Sequence, residues 1–144
     1  MIAKRFFDFV ASGLGLVLLA PFLVIVGIAI KVDSPGPIFF RQVRVGQFGK
    51  LFRIHKFRTM LTDAERKGLQ ITVGADARVT RVGGFLRKYK IDELAQLIDV
   101  FLGDMSLVGP RPEVPQYVEC YPDGVREVVL SVKPGITDWA SIKY

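Results

Sequence analysis

The sequence is poor in the residues that build metal centres, disulfides and catalytic triads. It has a single cysteine, Cys120, and a single histidine, His55, among 144 residues. One cysteine excludes a disulfide within the chain and fits a reducing compartment. One Cys and one His give little support to a zinc site. A Ser-His-Asp triad would have to use His55, which no nucleophile motif accompanies, so we expect a structural histidine on a strand.

Two common nucleotide-binding motifs are also absent, since the chain has neither a Walker loop nor a Gly-x-Gly-x-x-Gly motif. Acidic residues are absent from one stretch of eighteen residues that carries much of the formal net charge of +6. Its basic residues are Arg41, Arg44, Lys50, Arg53, Lys56 and Arg58. Such a block favours phosphate-bearing partners, and membrane headgroups, nucleotides and nucleic acids all remain open.

An apolar N-terminal segment predicts a membrane anchor. Residues 13–30 contain no charged or amide side chain, and as a helix residues 9–30 would extend about 33 Å. This length reaches across a hydrocarbon core of about 30 Å. A cleaved secretory signal is the main alternative, but the stretch is long and no small-x-small site precedes Lys31.

Two features favour a re-entrant anchor, which enters and leaves by the same leaflet, over a straight span. Pro21 lies in the middle of the apolar segment, where it leaves the Val17 carbonyl without its helical partner and predicts a break. Lys4 and Arg5 precede the segment and Lys31 follows it, and basic residues resist crossing. We therefore predict a helix-break-helix anchor with both ends on the cytoplasmic side.

The predicted organisation is a membrane helix over residues 1–31 and one α+β domain at the cytoplasmic face over residues 32–144. Residues 33–37 hold two prolines and a glycine, which end the anchor in a turn. Residues 38–45 and 51–58 are rich in aromatic and branched side chains and predict a β-hairpin. Strand alternation places Ile54, Lys56 and Arg58 on one face.

Three helices are predicted in the remaining chain, with loops and short helices after them. A capping box at Thr62-Asp63-Ala64-Glu65 opens a short helix that Gly68 closes. A second helix covers Arg78 to Lys90, with apolar residues at helical spacing and Gly83-Gly84 weakening it. A third begins at Asp92 and ends at Gly103, with one apolar stripe formed by Leu94, Leu97, Ile98 and Phe101.

Asp92 and Glu93 are the candidate catalytic residues, although a structural role is open. Asp is a preferred N-cap, and Glu in a first turn complements the helix dipole. The preceding helix, however, carries Arg87, Lys88 and Lys90, and a cap needs no such cations. An acid pair beside cations can hold a phosphate through a divalent metal, and the dipole would keep Asp92 ionised as a carboxylate nucleophile must be.

Arg111 is a second kind of candidate, because it lies between Pro110 and Pro112. Its backbone has little entropy left to lose on ordering, which suits a fixed phosphate contact.

Six segments, in one order and covering the chain almost end to end, resemble the small monotopic phosphoglycosyl transferases of the bacterial sugar transferase family. They are Lys4-Arg5-Phe6-Phe7-Asp8, residues 35–42, Lys56-Phe57-Arg58-Thr59-Met60, Ile91-Asp92-Glu93-Leu94 with Gln96-Leu97, residues 103–112, and Lys133-Pro134-Gly135-Ile136-Thr137. The resemblance implies a re-entrant helix broken at Pro21 and an Asp-Glu dyad at Asp92 and Glu93. It also implies an enzyme of the bacterial inner membrane that begins surface glycan assembly at the cytoplasmic face.

The implied reaction has two steps. The Asp92 carboxylate attacks a UDP-sugar, releases UMP and holds a phosphosugar, which passes to polyprenyl (undecaprenyl) phosphate. The resemblance further implies Mg²⁺ at Asp92, with Glu93 as metal partner or proton acceptor. Candidate phosphate-binding residues are Lys56, Arg58, Arg87 and Arg111, each of which could instead face solvent or lipid headgroups. The implied partners are the UDP-sugar and polyprenyl phosphate, and we also expect contact with membrane lipids and consider a homodimer.

The chain departs from the family pattern at several positions. Ala95 and Asp99 stand where Pro and Asn are frequent, and Asp138 and Ser141 where Gly and Gln are common. The first two departures look structural, and the last two suggest a branch with another sugar preference. The family pattern also continues past Tyr144 with an arginine and several dozen residues, so we expect a chain truncated at its C-terminus.

Two other functions compete with the enzyme. A non-catalytic membrane adaptor would bind anionic lipid through the basic hairpin, and a nucleic-acid-binding protein would use the same basic residues with the neighbouring phenylalanines. Neither accounts for Asp92 and Glu93, so no nucleic acid is expected as a partner.

Overall fold

The computed structural model describes residues 2–62 and 77–138. Its elements, in chain order, are α1 (Ile2–Asp33), β1 (Phe39–Val45), a 3₁₀ turn (Gln47–Gly49), β2 (Leu51–Phe57), α2 (Arg81–Lys88), a 3₁₀ helix (Ile91–Gln96), α3 (Leu97–Leu102), β3 (Ser106–Val108), α4 (Pro115–Val118), α5 (Asp123–Leu130) and β4 (Gly135–Thr137). This mixture of helices and strands agrees with the predicted α+β class. The helix predicted between the capping box and Gly68 lies outside the described residues.

The predicted break at Pro21 is not seen, because α1 is one continuous helix that contains this proline. The φ angle that proline fixes is itself helical, and only one carbonyl loses its partner, so a long apolar helix can continue through it. An 18-residue window of α1 has a mean hydropathy of 2.7, and α1 is long and apolar enough to cross a membrane. The predicted apolar anchor helix is therefore present, without its break.

Both halves of α1 pack against the rest of the chain. Near the N-terminus, the Arg5 guanidinium donates to the carbonyl oxygens of Val100 (2.6 Å) and Phe101 (2.9 Å) at the end of α3. Near the C-terminus, Val26 and Ile30 are buried in a cluster with residues of β2, α2 and the 3₁₀ helix. The helix thus lies along the domain instead of projecting from it.

The hairpin forms as predicted, to within one residue at the end of each strand. β1 and β2 pair antiparallel, with Phe39 opposite Phe57 and Arg41 opposite His55. β2 also packs against the 3₁₀ helix, and this contact positions the candidate site.

The helix α2 is shorter than the predicted Arg78–Lys90. Val79 instead forms an isolated β-bridge with Met60, and Thr80 is the N-cap, whose hydroxyl accepts a hydrogen bond from the Gly83 N–H at 2.9 Å. The helical spacing of Val79 therefore did not predict its conformation. Its backbone pairs with Met60 instead of continuing the helix toward the N-terminus.

The predicted helix from Asp92 is a 3₁₀ helix that continues into α3, and it ends as expected at Gly103, whose φ is +96°. Its buried face is unexpectedly polar. The residues below 9% exposure are Asp92, Ala95, Gln96, Asp99 and Val100, whereas Phe101 of the predicted apolar stripe is 37% exposed. The polar side of this helix is therefore turned inward.

Two short strands occur where we predicted loops and short helices. β3 and β4 pair parallel, with Ser106 opposite Gly135 and Val108 opposite Thr137. Each strand has three residues, too few to produce a recognisable alternation. Their pairing brings residues 135–137 beside the candidate site.

Candidate active site

Asp92 and Glu93 occupy the first turn of the 3₁₀ helix, but neither is its cap. The N-cap is Lys90, whose backbone adopts a left-handed conformation (φ +54°) without a side-chain capping bond. Asp92 is only 3% exposed. The capping role considered from the sequence is therefore not the role of Asp92 in the structure.

Lys56 bridges the two carboxylates. Its Nζ lies 3.0 Å from Asp92 Oδ2 and 3.3 Å from Glu93 Oε1. On the other side, Arg111 Nη2 lies 3.1 Å from the same Glu93 oxygen. The packing of β2 on the 3₁₀ helix brings Lys56 to the two acids. Arg111, in the segment between β3 and α4, completes a cluster of four residues predicted from the sequence.

The two cations also control the ionisation of Glu93. Burial would raise the pKa of its carboxyl, but the charges and hydrogen bonds of Lys56 and Arg111 outweigh burial and hold the pKa below its usual value. Glu93 is therefore an anion at neutral pH. Arg111 is more than half exposed, and so exposed an ion pair contributes little stability. An incoming phosphate could replace the carboxylate as its partner.

Arg87 lies near this region but makes a different contact. Its Nε donates a hydrogen bond of 2.8 Å to the hydroxyl of Thr59, just beyond β2. No hydrogen bond or ion pair joins Arg87 to the acid pair among the described residues. Its predicted phosphate contact stays a prediction.

Arg58 is placed apart from the other candidates. It is 5% exposed, and its guanidinium donates to the carbonyl oxygens of Pro35 (2.6 Å) and Ser34 (2.7 Å) and to the Ser34 hydroxyl (2.9 Å). Although Lys56 and Arg58 were predicted to share a strand face, they contact different partners. This geometry favours a structural role for Arg58, which fixes the turn after α1, over the predicted phosphate contact.

An open cleft lies beside the acid pair. Its lining is Phe40, Arg44, Ile54, Lys56, Glu93, Gln96, Arg111, Pro112, Gly135 and Ile136. The cleft thus combines three cations with one carboxylate and several apolar side chains.

Arg44 and Gln96 are cleft residues to which we assigned no role from the sequence. Arg44 donates to the Pro112 carbonyl (2.9 Å) and to Gln42 Oε1 (2.7 Å), and burial lowers the pKa of its guanidinium. One signal for Gln96 was available, because residues three apart lie on the same side of a 3₁₀ helix. This spacing places Gln96 beside Glu93 on the helix.

His55 has the structural role expected of it. Its backbone N–H donates to Asp99 Oδ2 (2.8 Å), its Nδ1 lies 2.6 Å from Asp99 Oδ1, and Arg41 Nη1 lies 2.6 Å from Nε2. Arginine only donates, so Nε2 accepts and the ring proton is on Nδ1. Burial raises the pKa of the Asp99 carboxyl, against the opposing effect of the His55 hydrogen bonds. The pair fastens the hairpin to α3.

The acid pair could supply two carboxylate ligands to a divalent cation. Oxygens of Asp92 and Glu93 both lie within 3.3 Å of one point, now held by the Lys56 ammonium. The described residues contain no cluster of three or more His, Cys, Asp or Glu side chains suited to a metal. Mg²⁺ commonly binds one or two carboxylates and completes its shell with water and substrate phosphates, and two carboxylates meet that requirement.

The comparisons with known proteins give the family. The model of the family described as bacterial sugar transferase matches residues 1–144. The chain is 42% identical, over 96% of its length, to a UDP-N-acetylgalactosamine-undecaprenyl-phosphate N-acetylgalactosaminephosphotransferase of Aeromonas hydrophila. It is 44% identical over 96% of its length to a UDP-glucose:undecaprenyl-phosphate glucose-1-phosphate transferase of Escherichia coli K12, and 43% identical over 97% to one of Caulobacter vibrioides.

The chain covers only part of these relatives, 33%, 30% and 53% of their respective lengths. The match over the whole chain nevertheless leaves no ambiguity about kinship. The chain belongs to the bacterial sugar transferase family.

Proposed function

We propose that this chain transfers a phosphosugar from a UDP-sugar to undecaprenyl phosphate, yielding undecaprenyl-diphosphate-sugar and UMP, as a first membrane step in surface polysaccharide or glycoconjugate synthesis. The observation that carries the proposal is the Lys56–Asp92–Glu93–Arg111 cluster beside an open cleft. The names of the relatives, which act on undecaprenyl phosphate, support the same substrate class.

Asp92 is the nucleophile in this proposal. A carboxylate oxygen of Asp92 bonds to the sugar-linked phosphorus while the bond to the bridging oxygen breaks, and UMP leaves with that electron pair. An oxygen of undecaprenyl phosphate then attacks the same phosphorus and releases Asp92. Two displacements at one site spare the enzyme from holding two anionic substrates in line at once.

The cations neutralise the anionic substrates. Lys56 and Arg111 already contact carboxylate oxygens, and each could exchange that contact for a phosphate oxygen. Asp92 and Glu93 would hold Mg²⁺, which, when bound, offsets charge on the phosphates. Arg87, beside Thr59, is a more distant candidate for the same task.

We place the enzyme at the cytoplasmic face of the bacterial inner membrane. Most of the apolar residues of α1 are exposed, including Ile2, Phe6, Phe7, Val10, Leu14, Val17, Leu18, Phe22, Ile25, Ile28 and Val32. Because both halves of α1 contact one domain, a monotopic anchor that stays on one side is favoured over a straight span. A re-entrant path through the leaflet and a homodimer stay predictions.

The test is UMP release from a panel of UDP-sugars, with Mg²⁺ and undecaprenyl phosphate supplied to the chain in lipid nanodiscs. We expect UMP with at least one sugar, and without the lipid phosphate a phosphosugar adduct that mass spectrometry locates on Asp92. Asp92→Asn should abolish both. Asp99→Asn is the matched control, since Asp99 is an equally buried carboxylate of the same helical segment that faces His55.

Two outcomes would contradict the proposal. One is UMP release that persists in Asp92→Asn, which would remove the nucleophile. The other is no UMP from any sugar while lipid binding is unaffected by Asp92→Asn, which would favour a membrane adaptor.

A further inference from the structure

The inward-facing side of the 3₁₀ helix and α3 presents three polar residues in succession to the hairpin. Asp92, Gln96 and Asp99 are exposed by 3%, 5% and 1%. Asp92 is paired with Lys56 at 3.0 Å, and Asp99 accepts hydrogen bonds from His55. Two of the three thus have partners that account for their burial.

Gln96 differs from its neighbours. In the part of the chain that the structure describes, no hydrogen bond involves its side-chain amide. Among the described residues, the enclosed side-chain atoms without a partner are Nε of Arg44 and Nε of Arg58, so the amide oxygen and nitrogen of Gln96 are not enclosed and are accessible from the cleft. Gln96 also lines the cleft beside the acid pair. A ligand bound in the cleft would therefore meet an amide that can hydrogen-bond it without breaking a contact within the protein.

We propose that the Gln96 side chain is a substrate-contacting residue whose amide hydrogen-bonds a hydroxyl group of the donor sugar. This inference rests on the proposed function and adds a residue to the same site. A carboxamide donates and accepts at once, and so does a hydroxyl, whereas a phosphate oxygen only accepts. In the proposed function Lys56 and Arg111 of the same cleft contact the phosphates.

The position of Gln96 also favours the sugar over the uracil base. Glu93 and Gln96 are three residues apart in a 3₁₀ helix and therefore lie side by side. In the proposed reaction the sugar is bonded to the phosphorus that Asp92 attacks, whereas the base is separated from that phosphorus by a second phosphate and a ribose. The group nearest to the acid pair, other than phosphate, is therefore the sugar.

The experiment compares Gln96→Met with the unchanged chain in nanodiscs. We measure KM and kcat for UDP-glucose and UDP-N-acetylgalactosamine, the inhibition constant of UMP as a ligand without the sugar, and the melting temperature. Losing one neutral hydrogen bond should lower kcat/KM by about 3- to 10-fold. The inhibition constant of UMP should not change. Gln47→Met is the matched control, because Gln47 lies at the hairpin tip and donates to Ser131 instead.

The melting temperature separates a binding role from a structural one. Methionine has a similar size and leaves no polar group unpaired, so Gln96→Met should melt at or above the temperature of the unchanged chain. A lower melting temperature with general loss of activity would make Gln96 structural and overturn the proposal.

The remaining outcomes are equally decisive. An unchanged kcat/KM overturns the proposal, and an equal weakening of UMP would assign Gln96 to the nucleotide instead of the sugar. If the unchanged chain releases no UMP from any UDP-sugar, the proposed function fails and this inference fails with it. If UMP release is normal in both chains, only the inference fails.

Discussion

Gly83 and Gly84 are adjacent glycines in α2 whose replacement by alanine should have opposite effects. A Cβ built on Gly83 would lie 2.6 Å from the carbonyl carbon of Thr59 and 2.7 Å from its Cα. A Cβ on Gly84 would meet only a Val79 methyl group, at 4.0 Å. The first clash is with backbone, which cannot rotate away, so α2 itself would have to move.

The magnitudes follow from these distances. Forcing an extra carbon into a packed site costs about 1–3 kcal/mol, and we expect the upper end for Gly83→Ala. Gly84→Ala should instead gain up to about 1 kcal/mol, because alanine is the better helix former at an open position. The difference between the two variants should be roughly 3–4 kcal/mol.

Thermal unfolding in detergent, followed by circular dichroism, measures this difference. For a chain of this size, Gly83→Ala should melt roughly 5–10 °C below the unchanged chain and Gly84→Ala up to a few degrees above it. Activity should fall with Gly83→Ala alone, because the Arg87 side chain depends on Thr59 for its position. Equal melting temperatures for the two variants would refute the close approach of α2 to Thr59.

Three further predictions concern charged groups. Lys56→Met removes the larger of the two cationic influences on Glu93, so the pKa of that carboxyl should rise. The acidic limb of the pH–rate profile should then move to higher pH. An unmoved limb would show that Lys56 does not control the ionisation of Glu93. Because burial raises the pKa of Asp99, that carboxyl stabilises the fold most below its unfolded pKa and less as the pH rises through its folded pKa. The melting temperature of Asp99→Asn should therefore decline less than that of the unchanged chain as the pH rises above about 4, and an equal decline would contradict the shift. Arg58→Lys keeps the charge but loses the forked contacts to the Ser34 and Pro35 carbonyls. It should lower the free energy of unfolding by about 1–3 kcal/mol in denaturant titrations. A change in KM without a change in stability would indicate a phosphate contact instead.

The parts of the fold that the sequence predicted are those with a strong local signal. The anchor shows as a long apolar run, and the hairpin shows as two branched and aromatic strands around Gly46 and Gly49. Asp92, Glu93, Lys56 and Arg111 were recognised from motif and charge, and the structure brings them together. Their mutual distances depend on how β2 and the segment between β3 and α4 lie against the 3₁₀ helix, which no local pattern encodes.

The orientation of the helix that carries the site could not be predicted in this way. A sequence pattern identifies an apolar stripe but does not say what that stripe faces. Here part of the stripe faces α1, since the Phe9 and Phe101 rings stack with their centroids 4.6 Å apart and Leu97 packs near Gly15. The polar side is consequently turned toward the hairpin, which is why Gln96 received no role from the sequence.

This arrangement makes α1 part of the scaffold of the site as well as its anchor. Arg5 donates to the last carbonyls of α3, and Val26 and Ile30 pack in the cluster that contains Ala95, three residues after Asp92. The 3₁₀ helix and α3 are therefore held at both ends by one apolar helix. Since the exposed side of that helix is the surface suited to lipid, the depth at which α1 settles also sets the height of the two carboxylates. In the proposed reaction a soluble nucleotide sugar and a lipid-borne phosphate can meet only at that boundary, so an anchor packed along the domain would serve this chemistry better than one joined to it by a flexible linker.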